Sequence, residues 1–105
     1  MTQTQPPYRV YIADCDESFA AALSSELSAT ADFSPVGHSA DAPTAQREIS
    51  AALPDIVILD ISLSGFSGPE LRSRLMGELG SRAPEFMFVD SLPEETARHN
   101  SDIGR

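Results

Sequence analysis

The stretch that most limits what this chain can become is Ile56-Val57-Ile58-Leu59, an unbroken apolar run set between Pro54-Asp55 and Asp60. Three of its four residues are β-branched, and turn formers bound it. Such a run is a strand buried on both faces, as in the interior of a parallel sheet. Parallel neighbours need crossover connections, and two buried faces need helices on both sides. The run ends in a carboxylate, and the polar, glycine-containing segment Ser62 to Gly68 follows. In open parallel sheets, sites form where the strands end and the chain leaves the core. Asp60 is therefore either a turn-capping residue or a group available for chemistry, and both readings stay open on this segment alone.

The rest of the chain supplies the expected partners. Tyr8 to Ala13 is rich in β-branched and aromatic residues and reads as a first strand ending in Asp14-Cys15-Asp16-Glu17. Ser18 to Ala29 reads as a helix capped by Asp16, with Phe19, Leu23 and Leu27 as an apolar stripe and Ala20 beside it. Pro35 to Ser39 is a short strand whose Pro and Gly suit a sheet edge. Asp41 caps a helix with Pro43 in its first turn; Ala45, Ile49, Ala52 and Leu53 share a face, and Pro54 stops it. Pro69-Glu70 opens a third helix with Leu71, Leu75 and Leu79 inward and Gly80 as its stop. Phe86 to Val89 is a fourth strand ending in Asp90 and Ser91, and a weak helix runs from Leu92 to His99. Residues 1–7 read as a tail and residues 8–105 as one domain. This alternation predicts an α/β fold, a doubly wound parallel sheet with right-handed crossovers and helices on both faces, for which a flavodoxin-like order is one arrangement.

Composition excludes several function classes. The net charge is −9, and all seven basic residues are Arg. An acidic chain without clustered basic charge does not suit a nucleic-acid or anionic-membrane surface. One Cys excludes an intramolecular disulfide framework and a thiolate zinc cage, and it is compatible with a reducing cytoplasm. No stretch approaches the roughly 20 apolar residues of a membrane span, and the first residues lack the charge and apolar core of a signal peptide. A cytoplasmic location is the expectation. Neither a G-x-G-x-x-G nor a G-K-[ST] pattern is present, so no dinucleotide or P-loop cradle is expected. His38 has no partner at metal-ligand spacing and reads as a surface residue. No nucleophile–His–acid set is visible, so an independent enzyme is not expected. Cys15 lacks a second Cys to resolve an oxidised form. What stands at the strand ends is acid: Asp14, Asp60 and Asp90. With the first and third strands adjacent, Asp14 and Asp60 lie together at the switch point. Paired carboxylates either take up a proton or hold a hard divalent cation, of which Mg²⁺ is the usual choice.

Asp14 before an amphipathic helix, the strand Asp55-Ile-Val-Ile-Leu-Asp60 and the loop Ser64-Gly65-Phe66-Ser67-Gly68 resemble the receiver domain of bacterial two-component response regulators. The likeness spans about residues 8 to 99. It implies the strand order 2-1-3-4, with the family's fifth βα unit missing from these 105 residues. It also implies that Asp60 accepts a phosphoryl group from a sensor histidine kinase or a phosphotransfer protein. Mg²⁺ would be held by Asp14, Asp60 and the main-chain oxygen of Ser62, with Asp16 as a further candidate. Asp90 and Ser91 align with the family's phosphate-sensing hydroxyl position. Output would be a conformational change read by a downstream protein or by a homodimer.

The sequence departs from the family pattern in several places. Cys15 stands where the second acid of the pair belongs. Asp90 replaces the hydroxyl residue, and no Lys is present to pair with the phosphoryl group. Ser64 replaces the loop Pro, and the fifth βα unit does not follow. Two functions therefore stand side by side: an active phosphoacceptor, and a degenerate, phosphorylation-independent receiver acting as an interaction or dimerisation module.

Overall fold

The computed structural model describes residues 5–89. Four strands and three helices alternate: β1 (Tyr8–Ala13), α1 (Glu17–Ser28), β2 (Phe33–Ser39), α2 (Ala42–Ala52), β3 (Ile56–Asp60), α3 (Gly68–Leu79) and β4 (Glu85–Val89), with a short 3-10 turn at Gly80–Arg82. The strands form one parallel sheet in the order β2-β1-β3-β4. This is the flavodoxin-like order that the resemblance implies, with the reversal of winding between β1 and β3. The predicted helix over residues 92–99, Asp90 and Ser91 all lie outside the described residues.

Period-two alternation along β1 divides the core. Tyr11 and Ala13 face α2 and α3 and pack with Ala45, Ile49, Val57, Leu59, Leu71, Leu75 and Leu79. Val10 and Ile12 face the other way, towards Ala20, Leu23 and Leu27 of α1. The i, i+4, i+8 spacing of Leu71, Leu75 and Leu79 thus becomes the buried face of α3, as expected. On α1 the stripe is rotated from the expected one: Ala20 is buried, while Phe19 is 39% exposed. A small residue lets the helix approach the sheet closely, and the bulky Phe19 is left at the margin.

Two strands are less buried than their composition suggests. Val57 and Leu59 are fully buried, but Ile56 and Ile58 are only half-buried. Among the described residues, the α2–α3 side of this strand is fully covered and the other side only partly, where Ile56 and Ile58 pack at the margin of the Val10–Ile12–Ala20 core while α1 lies over β1 and β2. In β4, Phe86 packs on the α3-side core, while Met87 and Phe88 are 53% and 44% exposed. The second strand is longer than expected, beginning at Phe33, and occupies the sheet edge where its Pro35 is tolerated. Val36 is the extra residue of a bulge: Val10 pairs with Pro35 and Tyr11 with Gly37.

The connections are tied down by polar contacts. Asp16, Asp41 and Ser67 cap α1, α2 and α3 through side chains that accept from the amides of Phe19, Thr44 and Glu70. Leu53 ends α2 in a left-handed conformation (φ 49°). Arg9 closes that end by donating from Nη1 to the carbonyls of Ala52 (2.7 Å) and Leu53 (3.1 Å). The buried Tyr11 hydroxyl donates to Glu48 Oε1 at 2.7 Å. Burial and this carboxylate together hold the phenol well above its ordinary range.

Candidate functional site

Parallel register places two carboxylates side by side. Ala13 pairs with Leu59, so the residues that follow, Asp14 just past β1 and Asp60 as the last residue of β3, stand at the same end of adjacent strands. Both are buried, at 1% and 0% exposure. Each closes a turn on the amide two residues on: Asp14 Oδ1 accepts from Asp16 N (2.8 Å), and Asp60 Oδ1 accepts from Ser62 N (3.3 Å). Asp60 Oδ2 accepts from Cys15 N at 3.2 Å, which bridges the two strand ends. Asp14 Oδ2 is buried and has no hydrogen-bond partner among the described residues.

The loop after β3 shapes the rim. Gly68 lies against the Asp60 carbonyl, and a Cβ there would overlap that oxygen. Its amide donates to Ile61 O at 2.8 Å, folding the loop back over the strand end. Gly65 adopts φ +98°, and a Cβ would come within 2.6 Å of Pro43 Cδ. Two backbone bonds, Ala42 N to Ser64 O (2.8 Å) and Ser64 N to Ala40 O (3.0 Å), join this loop to the start of α2. Both glycines of the sequence motif thus answer close approaches that no side chain would permit.

The electrostatics follow from burial. Desolvation raises the Asp14 carboxyl to about 6, and the facing Asp60 adds to the rise against the lowering effect of the Asp16 amide. Carboxylate oxygens of Asp14 and Asp60 and the Cys15 sulfur lie within 4.8 Å of one another. A buried carboxylate oxygen without a donor, facing a second carboxylate, fits a bound cation: a cation would satisfy that oxygen and offset the repulsion.

The sequence-predicted residues divide accordingly. Asp14 and Asp60 are brought together. Cys15 joins them with its backbone amide and places its side chain, on an exposed residue, beside them. Ser62 lies at the rim with its amide on Asp60. Asp16 instead directs Oδ1 to Phe19 N (3.0 Å) as the α1 cap and does not join the cluster. Val89 pairs with Asp60, but Asp90 and Ser91 lie outside the described residues. The two amide donors to Asp60 were not anticipated from sequence; the Asp60–Ser62 spacing of a turn was the available signal for one of them.

Several solved response regulator receivers share this arrangement of strands and helices. A LuxR-family DNA-binding response regulator from Staphylococcus aureus superposes with a TM-score of 0.72 at 20% identity, covering 79% of this chain and 68% of that one. The signal receiver domain of NarL from Mycobacterium tuberculosis gives 0.72 at 23% identity, covering 80% and 66%. The fold is the receiver-domain fold. The response regulator domain of CheB from Thermotoga maritima is similar again, at a TM-score of 0.70 and 24% identity, covering 81% of this chain and 61% of that one. The receiver-like part of the chain thus spans about three-fifths to two-thirds of the structures it matches. No protein-family model and no curated protein sequence matches the chain. Among the described residues, no helix is long and apolar enough to cross a membrane.

Proposed function

We propose that this chain is a signalling receiver in which Asp60 accepts a phosphoryl group from a histidine kinase or phosphotransfer protein. The observation that carries this reading is the pairing of Asp14 and Asp60 at adjacent strand ends, with Asp14 Oδ2 buried and unsatisfied among the described residues. Asp14, Asp60 and the main-chain oxygen of Ser62 are the groups that would hold a divalent cation, Mg²⁺ in the first instance. Such a cation supplies neutralisation of phosphoryl charge. The chain's own residues do the positioning. The amides of Cys15 and Ser62 fix both Asp60 oxygens, and each oxygen keeps a second lone pair with which the carboxylate can attack phosphorus. The bond formed is an acyl phosphate on Asp60, and the leaving group is the donor's imidazole. The Gly68 contact anchors the acceptor's backbone, so added charge at Asp60 acts on the attached loop and on its bridge to α2. The site performs this transfer on itself and signals by conformational change to a protein partner in the cytoplasm, with no role for nucleic acid or membrane in this segment.

Labelled phosphohistidine donor tests the proposal. Hydroxylamine-labile label should appear on the wild-type chain and be absent from Asp60→Asn. Label that persists in the variant, or that resists hydroxylamine, contradicts it.

One observation favours a second reading. The Asp60 carboxylate is completely buried, beneath the Cys15 segment. A phosphorylation-independent receiver, acting as an interaction or dimerisation module, would retain the fold and leave Asp60 unmodified under every donor.

A further inference from the structure

We propose that the Asp14–Asp60 site is a centre for a thiophilic divalent cation, Zn²⁺ in preference to Mg²⁺, with Cys15 Sγ as a ligand beside the two carboxylates. The inference rests on the reading of Asp14 and Asp60 as a cation site and concerns which cation they take.

Three observations carry it. The Cys15 sulfur and one oxygen from each of Asp14 and Asp60 already lie within 4.8 Å of one another. Asp14 is 1% exposed, and its Oδ2 has no hydrogen-bond partner. Among the described residues no donor satisfies that oxygen of Asp14, and a cation held beside Asp60 would. The third observation is chemical. Mg²⁺ demands oxygen ligands in near-ideal octahedral geometry, and a thiol is a poor member of that set. Zn²⁺ accepts mixed sulfur and carboxylate donors in tetrahedral geometry.

The geometry is compatible with tetrahedral closure. Bonds of about 2.0 Å to oxygen and about 2.3 Å to sulfur place tetrahedral ligand atoms roughly 3.3–3.5 Å apart. The cluster therefore needs to contract by an ångström or so. Two carboxylates that repel each other without a cation are drawn together by one, which is the required direction. Cys15 lies on an exposed segment between β1 and α1, outside the buried core. Three protein ligands leave a fourth position for water or a phosphoryl oxygen, the arrangement of an open zinc site rather than a closed structural one. Asp16 gives its Oδ1 to the α1 cap.

The proposal makes Cys15 a determinant of metal identity. Wild type, Cys15→Ser, Cys15→Asp and Asp14→Asn would be titrated with Zn²⁺ against a chromophoric chelator, with Mg²⁺ by thermal melting, and with Co²⁺ by absorption spectroscopy. A thiolate-to-cobalt charge-transfer band is expected in wild type and absent in Cys15→Ser. Loss of a direct ligand should weaken Zn²⁺ by no less than the about 10–100-fold that outer-shell changes cost. Cys15→Asp should reverse the preference towards Mg²⁺. Equal Zn²⁺ affinity in wild type and Cys15→Ser, or a cobalt spectrum without the thiolate band, overturns the proposal. The phosphoacceptor reading fails separately: Asp60 labelling supported by Mg²⁺ in a protein that ignores Zn²⁺ would discard the thiolate site and leave that reading standing.

Discussion

Replacing Asp14 by Asn should stabilise the metal-free protein at neutral pH, against the usual effect of changing a buried residue. The carboxyl sits at about 6 rather than near 3.8, chiefly through desolvation and then through the facing Asp60. A rise of about two pK units corresponds to roughly 3 kcal/mol of preference for the neutral form. The folded carboxyl holds its proton more tightly than the unfolded one. Below about pH 4 both states are protonated and the residue carries no penalty. As pH rises from about 4 to about 6 the unfolded state ionises first, and stability falls. Above about 6 the whole penalty is present. Asn keeps the shape and cannot ionise, so the variant should gain on the order of 1–3 kcal/mol at pH 7.5, the lower figure allowing for relaxation around a coupled pair. For a domain of this size each 1 kcal/mol moves the midpoint by roughly 4–8 °C. Urea unfolding of both proteins at pH 4, 6 and 7.5 without divalent cations is the assay. The difference between them should grow across that interval, and saturating divalent cation should shrink it by stabilising wild type alone. A variant less stable than wild type at pH 7.5, or a difference independent of pH, would refute the assignment of an electrostatic penalty to Asp14.

Other substitutions separate fold from site. Gly68→Ala places a methyl group against the Asp60 carbonyl and should destabilise by about 2 kcal/mol or more, read as a lowered urea midpoint, because backbone must shift on both sides. Asp16→Ala should lose about 1 kcal/mol of α1 capping in the same assay while leaving divalent-cation affinity unchanged; a large loss of affinity would make Asp16 a ligand after all. Leu75→Ala, at a fully buried position between α3 and the sheet, should cost about 2–5 kcal/mol. Tyr11→Phe removes the hydroxyl that donates to Glu48 and should cost about 0.5–1.5 kcal/mol, a loss that Glu48→Gln should reproduce only in part because the amide oxygen still accepts.

The alternation of strands and helices was legible because three of the four strands are short apolar runs and each connection carries its own stop and start signals, whereas the sheet order came from the resemblance to receiver domains. Asp41, Pro43, Ser67, Pro69 and Gly80 act where their chemistry requires. The pairing of Asp14 with Asp60 followed from order alone, since strand ends in adjacent parallel strands share an edge. Depth of burial did not follow. Ile56-Val57-Ile58-Leu59 has the composition of a doubly covered strand, yet which of its faces is covered depends on where α1 lies over the sheet, a tertiary fact. Phe19 was placed inward on hydrophobicity, whereas close packing selected Ala20. The amide donors to Asp60 were hidden because main-chain groups leave no mark on composition. Cys15 was recognised as a departure at an acidic position. Its place within reach of both carboxylates is what gives the departure a chemical meaning.

The central claim is that Asp60 is a phosphoacceptor, and intact mass tests it most directly. Folded wild type and Asp60→Asn would be incubated with a small-molecule phosphodonor in Mg²⁺ and, separately, in Zn²⁺. One phosphoryl adduct on wild type with at least one of these cations, and none on the variant, is the predicted result. A folded wild-type protein that acquires no adduct in either cation, or an adduct of equal yield on Asp60→Asn, would contradict the account.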